Sequence, residues 1–378
     1  MRPRALLALL AVAEAALWAG CAARGASMHA DPLAADSLRA VPVRRFDFES
    51  VAGDDPGLVP EELSAIAWLG GDRYLAVGDA HAAIHHLTIR VDPRNGAIVS
   101  AVTDSAIALR DESGSRIPEP AMAEDREGIA ADPDRDLVWI ANEQTLADKS
   151  RPSLERYRTS DGRRTGLFRC DSDSVMRVYV HMRSNRGFES LSREPDGSGF
   201  WTGNEDALTV DGAATGESTG GVVRLLRLDP EMRPGAQFAY RLDPWSTRIQ
   251  SPGFLAGREI NGLSELVALP RGRLLALERA FCGDKGGNAG LRSRLYLVDP
   301  AGATDVSREP FLEGLTGKTY TIARKTLLWQ ENWGLTNSNF EGMTLGPTLA
   351  DGSRLLVLVA DNNAGTSQSL FTIRLLPR

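Results

Sequence analysis

Lysine is nearly missing from this chain. Only Lys149, Lys285, Lys318 and Lys325 occur in 378 residues, and the formal charge is −7. Nucleic acid needs a clustered basic surface, so that class of partner is excluded. Arginine carries the positive charge and supplies planar donors suited to carboxylate or phosphate groups. Histidine is scarce too: His29, His81, His85, His86 and His181 show no regular spacing, which argues against a zinc site or a His-based triad. There is no Cys-x-x-Cys pair among Cys21, Cys170 and Cys282, so a zinc ribbon or dithiol redox motif is excluded. No segment has a helical period long enough for a βαβ unit, and no apolar run reaches the roughly 20 residues needed to span a bilayer.

What is present starts with a targeting segment, residues 1–20. Arg2 and Arg4 precede the apolar stretch Ala5–Leu17, and Leu17-Trp18-Ala19-Gly20-Cys21 has the form of a bacterial lipobox. Two outcomes follow: lipidation at Cys21, or an ordinary signal-peptidase cut nearby after Ala23. Either way the chain is expected to be exported, as a periplasmic lipoprotein held at the outer membrane or as a soluble periplasmic or secreted protein. Residues 21–39, rich in Ala, Gly, Ser and Asp, are expected to be a flexible tether, with the folded domain at 40–378. Cys170 and Cys282 would then sit in an oxidising compartment, as a long-range disulfide or as two part-buried thiols.

The remainder is repetitive. Clear copies of one phrase are Asp125-Arg126-Glu127-Gly128-Ile129-Ala130, Gly187-Phe188-Glu189-Ser190-Leu191-Ser192 and Asn339-Phe340-Glu341-Gly342-Met343-Thr344. Weaker copies begin at Ser64 and Asn261. Each is followed by an apolar run ending on an acid: Asp79, Glu143, Glu205, Glu278 and Asp361. Counted from Ser64, Glu127, Glu189, Asn261 and Glu341, the interval to the acid is 15, 16, 16, 17 and 20 residues, and these five positions lie 63, 62, 72 and 80 residues apart. A period of this length signals a repeat architecture.

Each repeat reads as four short strands separated by Asp-Gly, Pro-Asp-Gly and Asp-Pro turns. The fifth has only three, and the alternating segment Val41–Phe48 is available to supply the missing one and close a ring. The expected fold is all-β: a propeller of four-stranded blades, five favoured, with six open because the fourth repeat is long enough to hide extra strands. Chain direction then places the start of each first strand and the end of each second strand on one face. Glu127 should approach Glu143, Glu189 should approach Glu205, and Glu341 should approach Asp361. Asn261 should likewise approach Glu278, and Ser64 should approach Asp79.

Carboxylates ringed around a narrow axis need a positive partner or they raise one another's pKa. One such partner is Ca²⁺, a hard cation that takes oxygen ligands, held by Glu127, Glu143, Glu189, Glu205, Glu278, Glu341 and Asp361. Neighbouring Asn142, Asn204, Asn261, Asn362 and Asn363 would complete the coordination. The other is arginine, from Arg126, Arg186 and Arg279. A structural role competes with both: an acid at a strand start can simply pin one blade to the next. Three long loops, Gln144–Pro152, Asp206–Gly220 and Phe281–Ser293, fall on the same face, which is where a propeller would keep function. Gly216-Glu217-Ser218-Thr219-Gly220 matches the Gly-x-Ser-x-Gly pattern but lacks the strand-turn-helix context that pattern needs. The tryptophans are expected to pack between blades.

The phrases Asp-Arg-Glu-Gly-Ile-Ala, Asn-Arg-Gly-Phe-Glu-Ser-Leu, Leu-Ala-Leu-Glu-Arg and Asn-Phe-Glu-Gly-Met-Thr, with Val-Ala-Asp-Asn-Asn after the last, resemble the phytase-like propeller family, also described as esterase-like activity of phytase. The likeness runs from about Val43 to the C-terminus. It implies an exported bacterial propeller that hydrolyses phosphate or carboxylic esters with Ca²⁺. Arg126, Arg186, Arg279 and Asn362 would grip a small anionic ester. The alternative is a non-catalytic binding or scaffold propeller tethered to the membrane. A monomer is expected.

Overall fold

Strands buried on both faces give apolar runs interrupted only by turns, as in Leu63–Trp68 and Arg354–Asp361, and the described residues form twenty strands in all, the outermost of them partly exposed. In the computed structural model the described residues are 31–49, 59–118, 124–144, 152–245, 260–283, 289–334, 338–362 and 367–378. Blade 1 contains β2 (Leu63–Trp68), β3 (Arg73–Gly78), β4 (Ala83–Val91) and β5 (Ile98–Ala108). Blade 2 contains β6 (Glu124–Asp132), β7 (Leu137–Gln144), β8 (Ser153–Arg158) and β9 (Arg164–Arg169). Blade 3 contains β10 (Ser192–Arg193), β11 (Phe200–Gly203), β12 (Val222–Leu228) and β13 (Pro234–Arg241). Blade 4 contains β14 (Ile260–Leu269), β15 (Arg273–Gly283), β16 (Ala289–Asp299) and β17 (Arg324–Trp333). Blade 5 contains β18 (Asn339–Thr348), β19 (Arg354–Asp361) and β20 (Ser367–Pro377), and β1 (Leu38–Glu49) completes it.

Five antiparallel sheets of four strands therefore form the ring, and the N-terminal strand closes it, as the alternation at Val41–Phe48 predicts. The long fourth repeat hides no sixth blade. Between β16 and β17 its chain runs without a strand and packs Val306, Phe311 and Leu315 against β12 and β13.

Successive side chains of a strand point to opposite sheet faces, and here each face meets a different neighbour. Leu75 and Val77 pack towards blade 2, whereas Tyr74 and Ala76 pack towards blade 5. The remaining seams join blades 2 and 3, 3 and 4, and 4 and 5. Trp139 lies 4.7 Å from Phe200 across one seam, and Trp329 lies 5.3 Å from Phe371 across another. Residues 31–39, expected in the tether, have partners here. Leu33 and Leu38 are buried, and Arg273 donates to the carbonyls of Ala35 (2.6 Å) and Leu33 (2.5 Å). Residues 31–39 thus belong to the folded body, because their two leucines find an apolar seam. Cys21 and the targeting segment lie outside the described residues. Cys170 is buried, and the side chain of Cys282 is outside the described set.

The innermost strands β2, β6, β10, β14 and β18 neighbour one another cyclically around the axis. Near the start of each the backbone gains one residue over its partner strand. The extra residues are Ser64, Glu127, Ser264 and Glu341 in four blades. In blade 3 the same surplus lies between the Phe188–Asn204 bridge and β10, at Glu189. A bulge re-aims the inserted side chain. The next residue is small in four blades, and a Cβ on Gly342 would sit 2.7 Å from Ala65 Cα and from the Ser64 carbonyl oxygen. Gly342→Ala is expected to wedge blades 5 and 1 apart and destabilise the fold by about 1–3 kcal/mol, read from urea denaturation midpoints.

In blade 4 that position is Glu265, which fills the axis. Its Oε1 accepts the N–H groups of Leu266 (2.9 Å) and Leu191 (3.3 Å), and the Met343 N–H also donates to the carboxylate. Three blades are tied to one side chain. Beyond this floor, on the opposite face, the axis opens into a cavity of about 460 Å³ lined by Ile66, Ala130, Leu191, Val267 and Thr344 among others.

Candidate metal centre

The bulges place a second residue beside each inserted one. In blades 1, 2, 3 and 5 the position just past the bulge partner on the second strand is Asp79, Glu143, Glu205 and Asp361. In blade 4 it is Arg279, since Leu263 pairs with Glu278. Asp79, Glu127, Glu143, Glu189, Glu205, Glu341 and Asp361 thus ring one mouth of the axis, with the Arg279 guanidinium at the position that an acid takes in the other four blades. Oxygens of Glu127, Glu143 and Glu189 lie within 4.8 Å of one another, and so do those of Asp79, Asp125 and Glu127. Glu127 belongs to both groups.

The ring is electrically divided. Arg279 Nη2 stands 3.2 Å from Glu205 Oε1 and 3.1 Å from Glu341 Oε1, and Arg186 Nη1 stands 2.6 Å from Glu205 Oε2. Asn339 Nδ2 links Glu341 Oε1 (2.9 Å) to Asp361 Oδ2 (3.1 Å). On the other side Asp79, Asp125, Glu127, Glu143 and Glu189 form no ion pair among the described residues. The Gly187 N–H donates to Glu143 Oε1, and Glu143 hydrogen-bonds Glu189. Glu127 Oε2 and Glu143 Oε2 are buried with no hydrogen-bond partner, on residues only 7% and 1% exposed. An unsatisfied buried carboxylate oxygen is costly. Two of them facing a third carboxylate fit a hard cation with all-oxygen ligands, Ca²⁺ or Mg²⁺, better than a soft one.

Burial pushes the Glu127, Glu143 and Glu189 carboxyls well above the usual range, and the neighbouring acids add to it. Asp79 is raised by burial and by Asp125, with which it shares a hydrogen bond. Burial drives Glu341 up to about 8, partly offset by Arg279. Burial opposes charge on Arg279, but Glu341 and Glu205 outweigh it and raise its pKa. A carboxyl that holds its proton more tightly when folded stabilises the fold below the unfolded value, here 4.5, and loses that stabilisation as pH climbs through the folded value. The melting temperature in EDTA is therefore expected to fall between pH 5 and pH 8, and a rise across that window would contradict the raised values.

Three expectations are corrected. Glu278 is not in the ring. Adjacent residues of a strand point opposite ways, so with Arg279 aimed at the axis Glu278 faces the seam between blades 3 and 4. There it accepts from Tyr240 Oη (2.7 Å), Lys325 Nζ (2.6 Å) and Asn261 Nδ2 (2.8 Å). The expected approach of Asn261 to Glu278 is real but structural. The amides also serve the backbone: Asn142, Asn204 and Asn362 Oδ1 accept the N–H groups of Asp125 (3.1 Å), Arg224 (3.0 Å) and Glu62 (2.9 Å). Asn363 is outside the described residues. Among the arginines, Arg126 is 1% exposed and closed to a substrate, Arg279 is committed to acids, and Arg186 keeps a side chain 25% exposed.

Asp125 was not singled out from the sequence, although it directly precedes Arg126-Glu127 in the repeated phrase. Loop 206–220 is described: Asp211 pairs with the buried Arg224 (2.7 Å), and Ser218 is exposed with strand β12 after it, so the Gly-x-Ser-x-Gly match is not a nucleophile elbow. Loops Gln144–Pro152 and Phe281–Ser293 fall largely outside the described residues.

A five-bladed propeller with an acid ring at one axial mouth is the class this geometry defines. The chain belongs to the phytase-like family, described as esterase-like activity of phytase, whose model matches residues 61–364. No curated protein matches it. Among solved structures it is similar to an endo-arabinase from Bacteroides thetaiotaomicron: 13% identity, 86% of this chain and 97% of that one covered, TM-score 0.44. It is also similar to a GH43 endo-arabinanase from Bacillus licheniformis: 16% identity, 86% and 96% covered, TM-score 0.37.

Proposed function

We propose that the ring is a Ca²⁺-dependent hydrolytic centre acting on small phosphate or carboxylic esters. The observation that carries this reading is the pair of buried, unpartnered oxygens on Glu127 and Glu143, converging with Glu189. Glu127, Glu143 and Glu189 would hold the cation, and Asp79 and Asp125 could share it through Glu127. A bound cation supplies Lewis acidity and lowers the pKa of water. The chain's own residues do the rest. Asp79, half-buried at the rim and hydrogen-bonded to Asp125, holds its proton more tightly than a free carboxyl and can release it towards the mouth. Arg186 is the guanidinium open enough to meet an anionic substrate group. Arg279 keeps Glu205 and Glu341 in place.

The test is hydrolysis of p-nitrophenyl phosphate and p-nitrophenyl butyrate by purified protein, in Ca²⁺ and in EDTA. Turnover in Ca²⁺ alone is expected, and turnover indifferent to EDTA would end the metal reading. A second reading, a non-catalytic binding propeller, is favoured by the lack of any Ser, Cys or His nucleophile-base set at the ring among the described residues. Calcium binding without turnover of either ester would select it. We also propose export and anchoring through Cys21. Cys21→Ala is expected to move the protein from the membrane fraction to the soluble one, as followed by fractionation.

A further inference from the structure

Blades 1, 2, 3 and 5 put an acid just past the bulge partner, and blade 4 puts Arg279 there. The same blade replaces the inserted glutamate with Ser264, which accepts from Arg279 Nε at 3.4 Å. One nitrogen of Arg279 reaches carboxylates of both flanking blades, Glu205 at 3.2 Å and Glu341 at 3.1 Å. Two acids brought together from the blades on either side would suit a hard cation, and the guanidinium meets them instead with fixed charge and fixed donors. Glu205 is further prepared for this contact. A Cβ on Gly262 of blade 4 would lie 2.4 Å from Glu205 Cγ, so the glycine lets that side chain cross the seam.

We infer that Arg279 is a resident cation of the ring: it occupies the place where a metal ion would otherwise bridge Glu205 and Glu341, and so confines metal binding to the Glu127 side. The inference deepens the proposed function, resting on its premise that the unpaired acids take a hard cation. It makes Arg279 a positioning residue that sets how many ions the ring accepts and where.

Calorimetric titration of the full-length protein with CaCl₂ tests it, using wild type, Arg279→Met and Arg279→Lys. Arg279→Met is expected to bind one more Ca²⁺ per chain than wild type, and Arg279→Lys to keep the wild-type stoichiometry. In EDTA, Arg279→Met should melt below wild type, and Ca²⁺ should restore it by more than it raises wild type. A folded Arg279→Met with unchanged stoichiometry and no extra calcium stabilisation overturns the inference. If wild type binds no Ca²⁺ while Arg279→Met binds one, the proposed metal centre fails and the role of Arg279 stands. If neither binds, both fall. If Arg279→Met does not fold in EDTA, recovery on refolding in Ca²⁺ or in millimolar guanidinium supports the role, and failure of both additions counts against it.

Discussion

A chain lacking residues 1–49 is expected to lose its native fold, whereas one starting at Asp31 should melt with the full-length protein. Strand β1 pairs with β20 from Leu38–Pro377 to Glu49–Ser367 and is, among the described residues, the only strand on that edge. Its removal exposes a row of unpaired backbone groups on a long strand, the arrangement that invites aggregation. It also removes Leu33, Leu38 and Phe48 from the seams that blade 5 shares with blades 4 and 1. Each large apolar side chain is worth about 1.5–3 kcal/mol when buried, so the three together contribute about 5–9 kcal/mol. That approaches the whole stability of an ordinary domain, about 5–15 kcal/mol. Soluble expression and circular-dichroism melting read the outcome directly. A 50–378 chain that melts cooperatively at the full-length temperature would show that the ring does not depend on its closing strand.

The closing strand was legible because blades repeat and one repeat falls a strand short. Blade number was legible for a related reason: strands sandwiched between two neighbours must be apolar on both faces, so each writes a compact run between turn residues. The acid frame was legible in the blades where Glu follows the same apolar pattern. It failed in blade 4 for a definite cause. A bulge has no residue signature, and β14 begins four residues before its own, so Asn261 and Glu278 look equivalent to Glu127 and Glu143. The choice between Glu278 and Arg279 is a choice of strand face, which a one-residue insertion flips. That slip matters because it exchanges an acid for a base at the axis. The asparagines misled differently. Their position beside the acids is compatible with coordination, and only the backbone geometry shows that the oxygens of Asn142, Asn204 and Asn362 already accept N–H groups. Glu265 left no trace because it matters through Leu191 and Met343, far away in sequence, and Asp125 was passed over because its approach to Asp79 is equally remote.

Glu127→Gln is expected to raise stability and abolish the site in one step. In EDTA at pH 8 the wild-type ring must either ionise buried acids against one another or hold protons against the solution, and both cost free energy. Glutamine keeps the shape and removes one ionisable group, so the metal-free variant should be more stable by at least about 1.4 kcal/mol, the worth of a single pKa unit. The gain should shrink towards pH 5, where the wild-type carboxyl is protonated without penalty. Calcium should reverse the ranking. Glu127 is shared by both oxygen groups, so its loss should weaken binding by more than the about 10–100-fold that follows from disturbing a ligand's outer-shell partners. Wild type with Ca²⁺ should then melt above Glu127→Gln with Ca²⁺, and any Ca²⁺-dependent ester hydrolysis should vanish with the same substitution. An acid that merely pins one blade to the next behaves the other way, since its replacement lowers stability at every pH and calcium makes no difference. Melting curves of the two proteins at pH 5 and pH 8, with EDTA and with Ca²⁺, separate these cases by sign rather than by size. A buried carboxylate retained at the expense of stability is the mark of a group kept for what it binds.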